Sequence, residues 1–151
     1  MTELHTTAIS YTVNGLDSSP QSFYTVACNP QRHVVVEACA GAGKTWMLVA
    51  RIGRALLADA PAHSILAITF TNKAAAEMRG RVADLLALWA VLDNDLLAQE
   101  LLARGVPQTA INDTLLNKAR SLQAEVLAGR GLGIRTFHGW FASLLRMAPL
   151  S

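Results

Sequence analysis

Charge is scarce in this chain. Asp, Glu, Lys and Arg make up 16% of its 151 residues, against about 25% in ordinary soluble domains. The formal net charge of +2 is too small to argue for a nucleic-acid partner by itself. No two acidic residues are adjacent anywhere. The two cysteines, Cys28 and Cys39, form no metal-ligand pattern, so reduced thiols and a cytoplasmic location are expected. No cationic, then apolar, opening marks a secretory signal. No apolar run approaches the roughly 20 residues of a membrane span, and no membrane partner is expected. What the chain has in abundance is apolar residues, at 52%. That is too many for disorder, and the length suits one domain rather than two. So low a charge content also fits a piece that leans on further protein.

Residues 1–20 are polar, with turn signals at Asn14-Gly15 and Ser18-Ser19-Pro20, and read as a loose leader. Gln21 to Cys28 can form a short helix ended by Asn29-Pro30, because the residue before proline avoids helical geometry. His33 to Glu37 (HVVVE) is a β-branched run that reads as a buried strand, and Ser64 to Phe70 (SILAITF) as a second. Between them a helix is expected to bury Met47, Ile52, Ala55 and Leu56 and to end near Ala60-Pro61. From Asn72, Met78, Val82, Leu85, Trp89 and Leu92 recur at helical spacing. Leu97 and Leu101 mark a helix closing at Gly105. Ile111, Leu115, Leu122 and Val126 mark another, closing near Gly129. Gly133 to Phe137 is a third strand candidate, and Phe141, Leu144, Leu145 and Ala148 form a helical stripe. This order predicts an α/β fold with a parallel sheet. The helices between Asn72 and Gly129 exceed one crossover and read as a helical insertion. The expected division is 1–33 leader, 34–83 first part of the core, 84–132 insertion and 133–151 return to the core.

The sharpest signal is the stretch Ala38-Cys39-Ala40-Gly41-Ala42-Gly43-Lys44-Thr45, between a predicted strand and a predicted helix. A loop that holds phosphate must bring backbone N–H groups close to the anion, and side chains at the nearest points would block it. Gly41 and Gly43 meet that need. Lys44 would place a charge on the terminal phosphates, and the Thr45 hydroxyl would ligate Mg2+. A helix starting at Thr45 would aim its positive end at the nucleotide. The usual pattern, GxxxxGK(S/T), has its first glycine replaced by Ala38, which is tolerable where φ is not positive.

The segment ILAITFTNKAAAEMRGRV, Ile65 to Val82, resembles the second motif of UvrD/Rep-like superfamily 1 DNA helicases, and GIRTFHGWFASLLR, Gly133 to Arg146, resembles the next, with its Thr-x-His core. The loop VVVEACAGAGKTW is similar to the form in the RecB and AddA branch. The resemblance implies the N-terminal, ATP-binding region of such a helicase: a P-loop NTPase of RecA-like fold with ATP and Mg2+ as cofactors. It also implies 3′-to-5′ translocation and a role in DNA repair or recombination. Thr69, Phe70, Thr71 and Asn72 would line a track for single-stranded DNA, with Thr136 and His138 adding backbone contacts. Gln21 is the nearest candidate for adenine recognition. Taken singly, a residue such as Phe70 is more often a core aromatic, and one such as His138 more often a capping or surface histidine. Lys73, Arg79 and Arg81 fit either a solvated helix face or DNA contact. After Glu125 no acidic residue follows, while Arg130, Arg135 and Arg146 remain, which suits a phosphate-facing edge.

Hydrolysis needs a carboxylate to hold magnesium and another to orient water, which family members carry as an Asp-Glu pair after an apolar strand. Asp93, Asp95 and Asp113 lie at predicted helix starts or turns instead. The expectation is therefore an incomplete motor, lacking the second lobe that would be its partner and inactive alone. A non-hydrolysing nucleotide- or DNA-binding regulatory module remains the alternative. An unrelated P-loop kinase leaves TFTNKAAAEM and TFHGW without a role.

Overall fold

In the computed structural model, which describes residues 10–38, 41 and 43–147, the first turn signal closes a β-hairpin. β1 (Tyr11–Val13) pairs antiparallel with β2 (Leu16–Ser18). Asn14 at φ 53 and Gly15 at φ 79 make the turn, and Asn-Gly suits two consecutive left-handed residues. The loose-leader reading thus fails over residues 11–18. Helix α1 (Pro20–Ala27) follows, with Pro20 in its first turn and the Ser19 hydroxyl accepting from the Ser22 N–H.

The strand expected at His33–Glu37 is absent. Residues 33–38 are assigned to no strand, and Val35 is 93% exposed. A β-branched run supplies the side chains of a strand but not its neighbour, and no described strand lies hydrogen-bonded alongside it. Helix α2 (Lys44–Leu57) begins one residue earlier than the expected start at Thr45 and buries Met47, Ile52 and Leu56, while Ala55 is half-buried. β3 (Leu66–Thr69) is shorter than Ser64 to Phe70, because Ala62–Ser64 form a 3-10 turn and Phe70 lies beyond the ladder.

Helix α3 (Asn72–Val91) runs unbroken across the expected boundary between 83 and 84, with Met78, Val82, Leu85 and Trp89 buried as their spacing predicts. Thr71 caps it, accepting from the Ala74 N–H at 3.1 Å. α4 (Asn94–Ala103) and α5 (Asp113–Ala128) are capped by Asp93 and Asn112. The main core joins α2, α3, α4 and α5 around Trp89, which is fully buried together with Leu97 and Leu101. Gly53 of α2 is required by this packing. A Cβ there would sit 2.7 Å from the Trp89 ring.

β4 (Gly133–Thr136) pairs in parallel with β3, placing Leu66 beside Gly133 and Thr69 beside Thr136. The Gly133 N–H donates to the Ile65 carbonyl at 3.0 Å, so by the alternation of strand hydrogen bonds the Ile134 carbonyl points to the outer edge. There it accepts from Arg79 Nη1 at 2.7 Å. Phe137 opens helix α6 (Phe137–Met147) rather than ending the strand. The apolar stripe expected on α6 meets no core: Phe141, Leu144 and Leu145 are exposed, and Ala148 lies outside the described residues. Helical spacing reports one apolar face, not what covers it. The result is a mixed α/β structure with a small parallel sheet.

Candidate nucleotide and nucleic-acid site

The phosphate-loop candidate lies at the amino end of α2. Gly41 and Gly43 both adopt left-handed backbone, with φ of 80 and 79, and a Cβ on either would meet only open space. Backbone conformation, not crowding, is what calls for glycine at both points. Ala38 is not among the described non-glycine residues of positive φ, which are Asn14 and Asp59; alanine there in place of glycine is unstrained. Cys39, Ala40 and Ala42 lie outside the described residues. Gly43 caps α2 without any side-chain hydrogen bond, and the first turn holds no acidic residue. Lys44 Nζ donates to the Ala38 carbonyl at 2.6 Å, so the side chain folds back across the loop. Thr45, half-buried, occupies the first turn of α2.

The second cluster is built by strand register. Because Thr69 and Thr136 are lateral neighbours at the carboxyl ends of parallel strands, the two expected nucleic-acid motifs meet at one sheet edge. Each strand feeds a helix there. The Thr71 hydroxyl accepts from Ala74 N–H, and the Thr136 hydroxyl accepts from Gly139 N–H at 3.1 Å. Both hydroxyls keep their own hydrogen for an outside acceptor. Thr69 Oγ1 instead donates to the Thr71 carbonyl at 3.1 Å and retains only acceptor capacity. Phe70 is 96% exposed, which excludes the core-aromatic reading. Asn72 and His138 are exposed, with His138 edge-on to Phe137.

The basic residues of α3 divide. Arg81 pairs with Glu77 one turn away at 2.8 Å, as a solvated helix face would. Arg79 is tied to β4. Lys73, in the first turn, is exposed. Arg135 donates to the Ser143 hydroxyl at 2.9 Å. Gln21 donates its amide to the Leu102 carbonyl at 2.8 Å, against the end of α4. Asp93 accepts from the Leu96 N–H as a helix cap, and Asp113 lies in the first turn of α5. Among the described residues no group of three or more His, Cys, Asp or Glu could hold a metal ion.

Sequence reasoning missed the surroundings of α2. Tyr11, Phe23, Tyr24 and Trp46 form a chain of ring contacts with centroids 4.9–5.8 Å apart, and the Arg104 guanidinium lies 4.7 Å from the Trp46 centroid. Burial, with help from the Tyr11 hydroxyl, pushes the Tyr24 phenol up to about 12. Burial also raises the Cys28 thiol, against the opposing pull of Arg54, Arg51 and Arg104. Arg54, largely buried, is lowered by desolvation. The available signal was the heptad step from Lys44 to Arg51, which puts both on one helix face. Leu48 and Arg51 line both a hollow beside Lys44 and one of about 330 Å³ against β3.

Residues 19–150 match the UvrD/REP helicase N-terminal domain. The chain belongs to that family. Among curated relatives of this helicase domain, DNA helicase II of Escherichia coli (strain K12) is 39% identical over 79 residues, covering 52% of this chain and 11% of that protein. An ATP-dependent helicase/nuclease subunit of Lactobacillus gasseri is 40% identical over 73 residues, covering 47% of this chain and 6% of its own length. The corresponding helicase/nuclease protein of Clostridium botulinum (strain Hall) is 44% identical over 82 residues, covering 52% and 6%. The aligned region thus spans about a tenth or less of these relatives. No solved structure matches this one. No helix among the described residues is long and apolar enough to cross a membrane.

Proposed function

We propose that this chain is the ATP-binding and single-stranded-DNA-contacting part of an ATP-dependent DNA helicase that moves 3′ to 5′ in DNA repair or recombination. Its fold is then the first part of a RecA-like P-loop lobe, with residues 84–132 as a helical insertion. One observation carries the reading: two glycines of left-handed φ approach the end of a 14-residue helix that has neither acidic residue nor side-chain cap there. Such an end attracts anions through its first-turn N–H groups and its dipole. The open space at both glycines leaves room for a phosphate group. Lys44, resting on the Ala38 carbonyl, turns to the terminal phosphates. The Thr45 hydroxyl takes Mg2+ and Gln21 is the adenine candidate. ATP, when bound, supplies the anhydride bond whose cleavage drives motion. At the strand tips, Thr71 and Thr136 donate to phosphate oxygens, and the exposed face of Phe70 stacks on a base. Thr69, Asn72 and His138 complete the track.

A second reading has its own support. Without an adjacent acidic pair in the chain, a nucleotide- or DNA-binding module without hydrolysis is favoured for these residues by themselves. Titration with a fluorescent ATP analogue plus Mg2+, and separately with labelled oligo-dT, tests both. Saturable nucleotide binding is expected, lost in Lys44→Ala with DNA binding retained, and no turnover. Absence of nucleotide binding would remove the central reading. Hydrolysis stimulated by single-stranded DNA would eliminate the non-hydrolysing one.

A further inference from the structure

The chain entering the phosphate loop is held by α2 rather than by a sheet. Residues 33–38 belong to no strand, yet each end of this segment is fastened to the same helix. At its downstream end Lys44 reaches the Ala38 carbonyl. At its upstream end the Arg51 guanidinium gathers three backbone carbonyls: Nη1 donates to Ala27 at 3.1 Å and to Asn29 at 2.6 Å, and Nη2 donates to Arg32 at 2.5 Å. Arg54, on the next turn, adds the Tyr24 and Thr25 carbonyls at 3.4 and 3.2 Å. These carbonyls lie at and beyond the carboxyl end of α1, where the dipole is negative; those of Tyr24 and Asn29 also accept from the Cys28 and Arg32 N–H groups. A planar guanidinium with five donors can satisfy several of them at once, which a lysine ammonium on a flexible stem does poorly.

We propose that Arg51 is a positioning residue for the phosphate loop. It fixes the origin of the 33–38 segment to the helix whose amino end receives the anion, so that the glycine turn and the α2 N–H groups keep one relative placement. Arg51 need not touch the nucleotide, and the inference rests on the nucleotide reading given above. A merely structural role would lower stability everywhere without acting selectively on the loop.

The test compares wild type with Arg51→Met, Arg51→Lys and Lys44→Ala. It measures amide hydrogen exchange of the peptide spanning 33–45, affinity for a fluorescent ATP analogue with Mg2+, and thermal midpoint. Without nucleotide, Arg51→Met is expected to speed exchange in 33–45 while amides of α3 and α5 keep their rates. Its nucleotide affinity should fall about 10-fold or more, the scale on which misplacement of a binding group acts, with partial recovery in Arg51→Lys. Unchanged exchange in 33–45, or a rise spread evenly over α2, α3 and α5, would overturn the proposal. If Arg51→Met does not fold, the same criteria apply to Arg51→Lys. Unchanged affinity in Lys44→Ala would instead remove the nucleotide reading, leaving the exchange measurement to decide the role of Arg51.

Discussion

The helical block of α2, α3, α4 and α5 and the edge formed by the tips of β3 and β4 obey different rules. In the block, the inward-facing apolar side chains vanish from solvent: Trp89, Leu97 and Leu101 are fully buried. At the edge they remain outside, with Phe70, Phe137 and Phe141 all exposed. The polar groups divide in the same way. In the block, Asp93 and Asn112 are used up as helix caps and Trp89 Nε1 is buried without a partner, whereas the Thr71 and Thr136 hydroxyls cap helices and still have a proton to give. The block is organised by what it buries and the edge by what it leaves available. A residue's sensitivity to substitution should therefore depend on its region.

The largest effect is expected at Trp89. Truncation to alanine should remove about 3–5 kcal/mol of stability, read from urea unfolding, enough to unfold a marginal domain. A loss below about 1 kcal/mol would mean the block can collapse around the gap. Phe70→Ala is the counter-test. Stability should move by no more than about 0.5 kcal/mol. Affinity for oligo-dT should fall by about 1–3 kcal/mol, the scale of one base stacked on an aromatic ring. A stability loss as large as that of a core residue would erase the contrast between the two regions. The smallest effect belongs to Arg81→Ala. Its exposed pair with Glu77 is worth at most about 0.5 kcal/mol, and DNA affinity should stay put. A clear drop in oligo-dT binding would return Arg81 to the track.

This division also explains what could be read from sequence. The α3 stripe from Met78 to Trp89 was legible because periodicity and burial coincide in a closed core. The glycine turn before α2 was legible because glycine at positive φ is a local demand, met at Gly41 and Gly43. The 33–37 run and the α6 stripe misled because apolar pattern states a capacity for burial, while burial itself depends on a neighbour. The Asn14-Gly15 pair was recognised as a turn, but its flanking residues, polar and few, concealed a hairpin of three-residue strands. Arg51 escaped notice because its partners are backbone carbonyls, which every residue has and no sequence pattern marks.

The bond from Arg79 to the Ile134 carbonyl gives the sheet a direction of growth. A new strand laid beside β4 would first have to displace a guanidinium from that oxygen, trading a charge-assisted bond for a neutral one. On β3, Leu66 and Ile68 border a hollow shared with Leu48, Arg51 and Ile52, and by strand alternation their backbone groups point away from β4. Enlargement of the sheet is thereby steered toward α2, and β4 serves as its guarded outer margin.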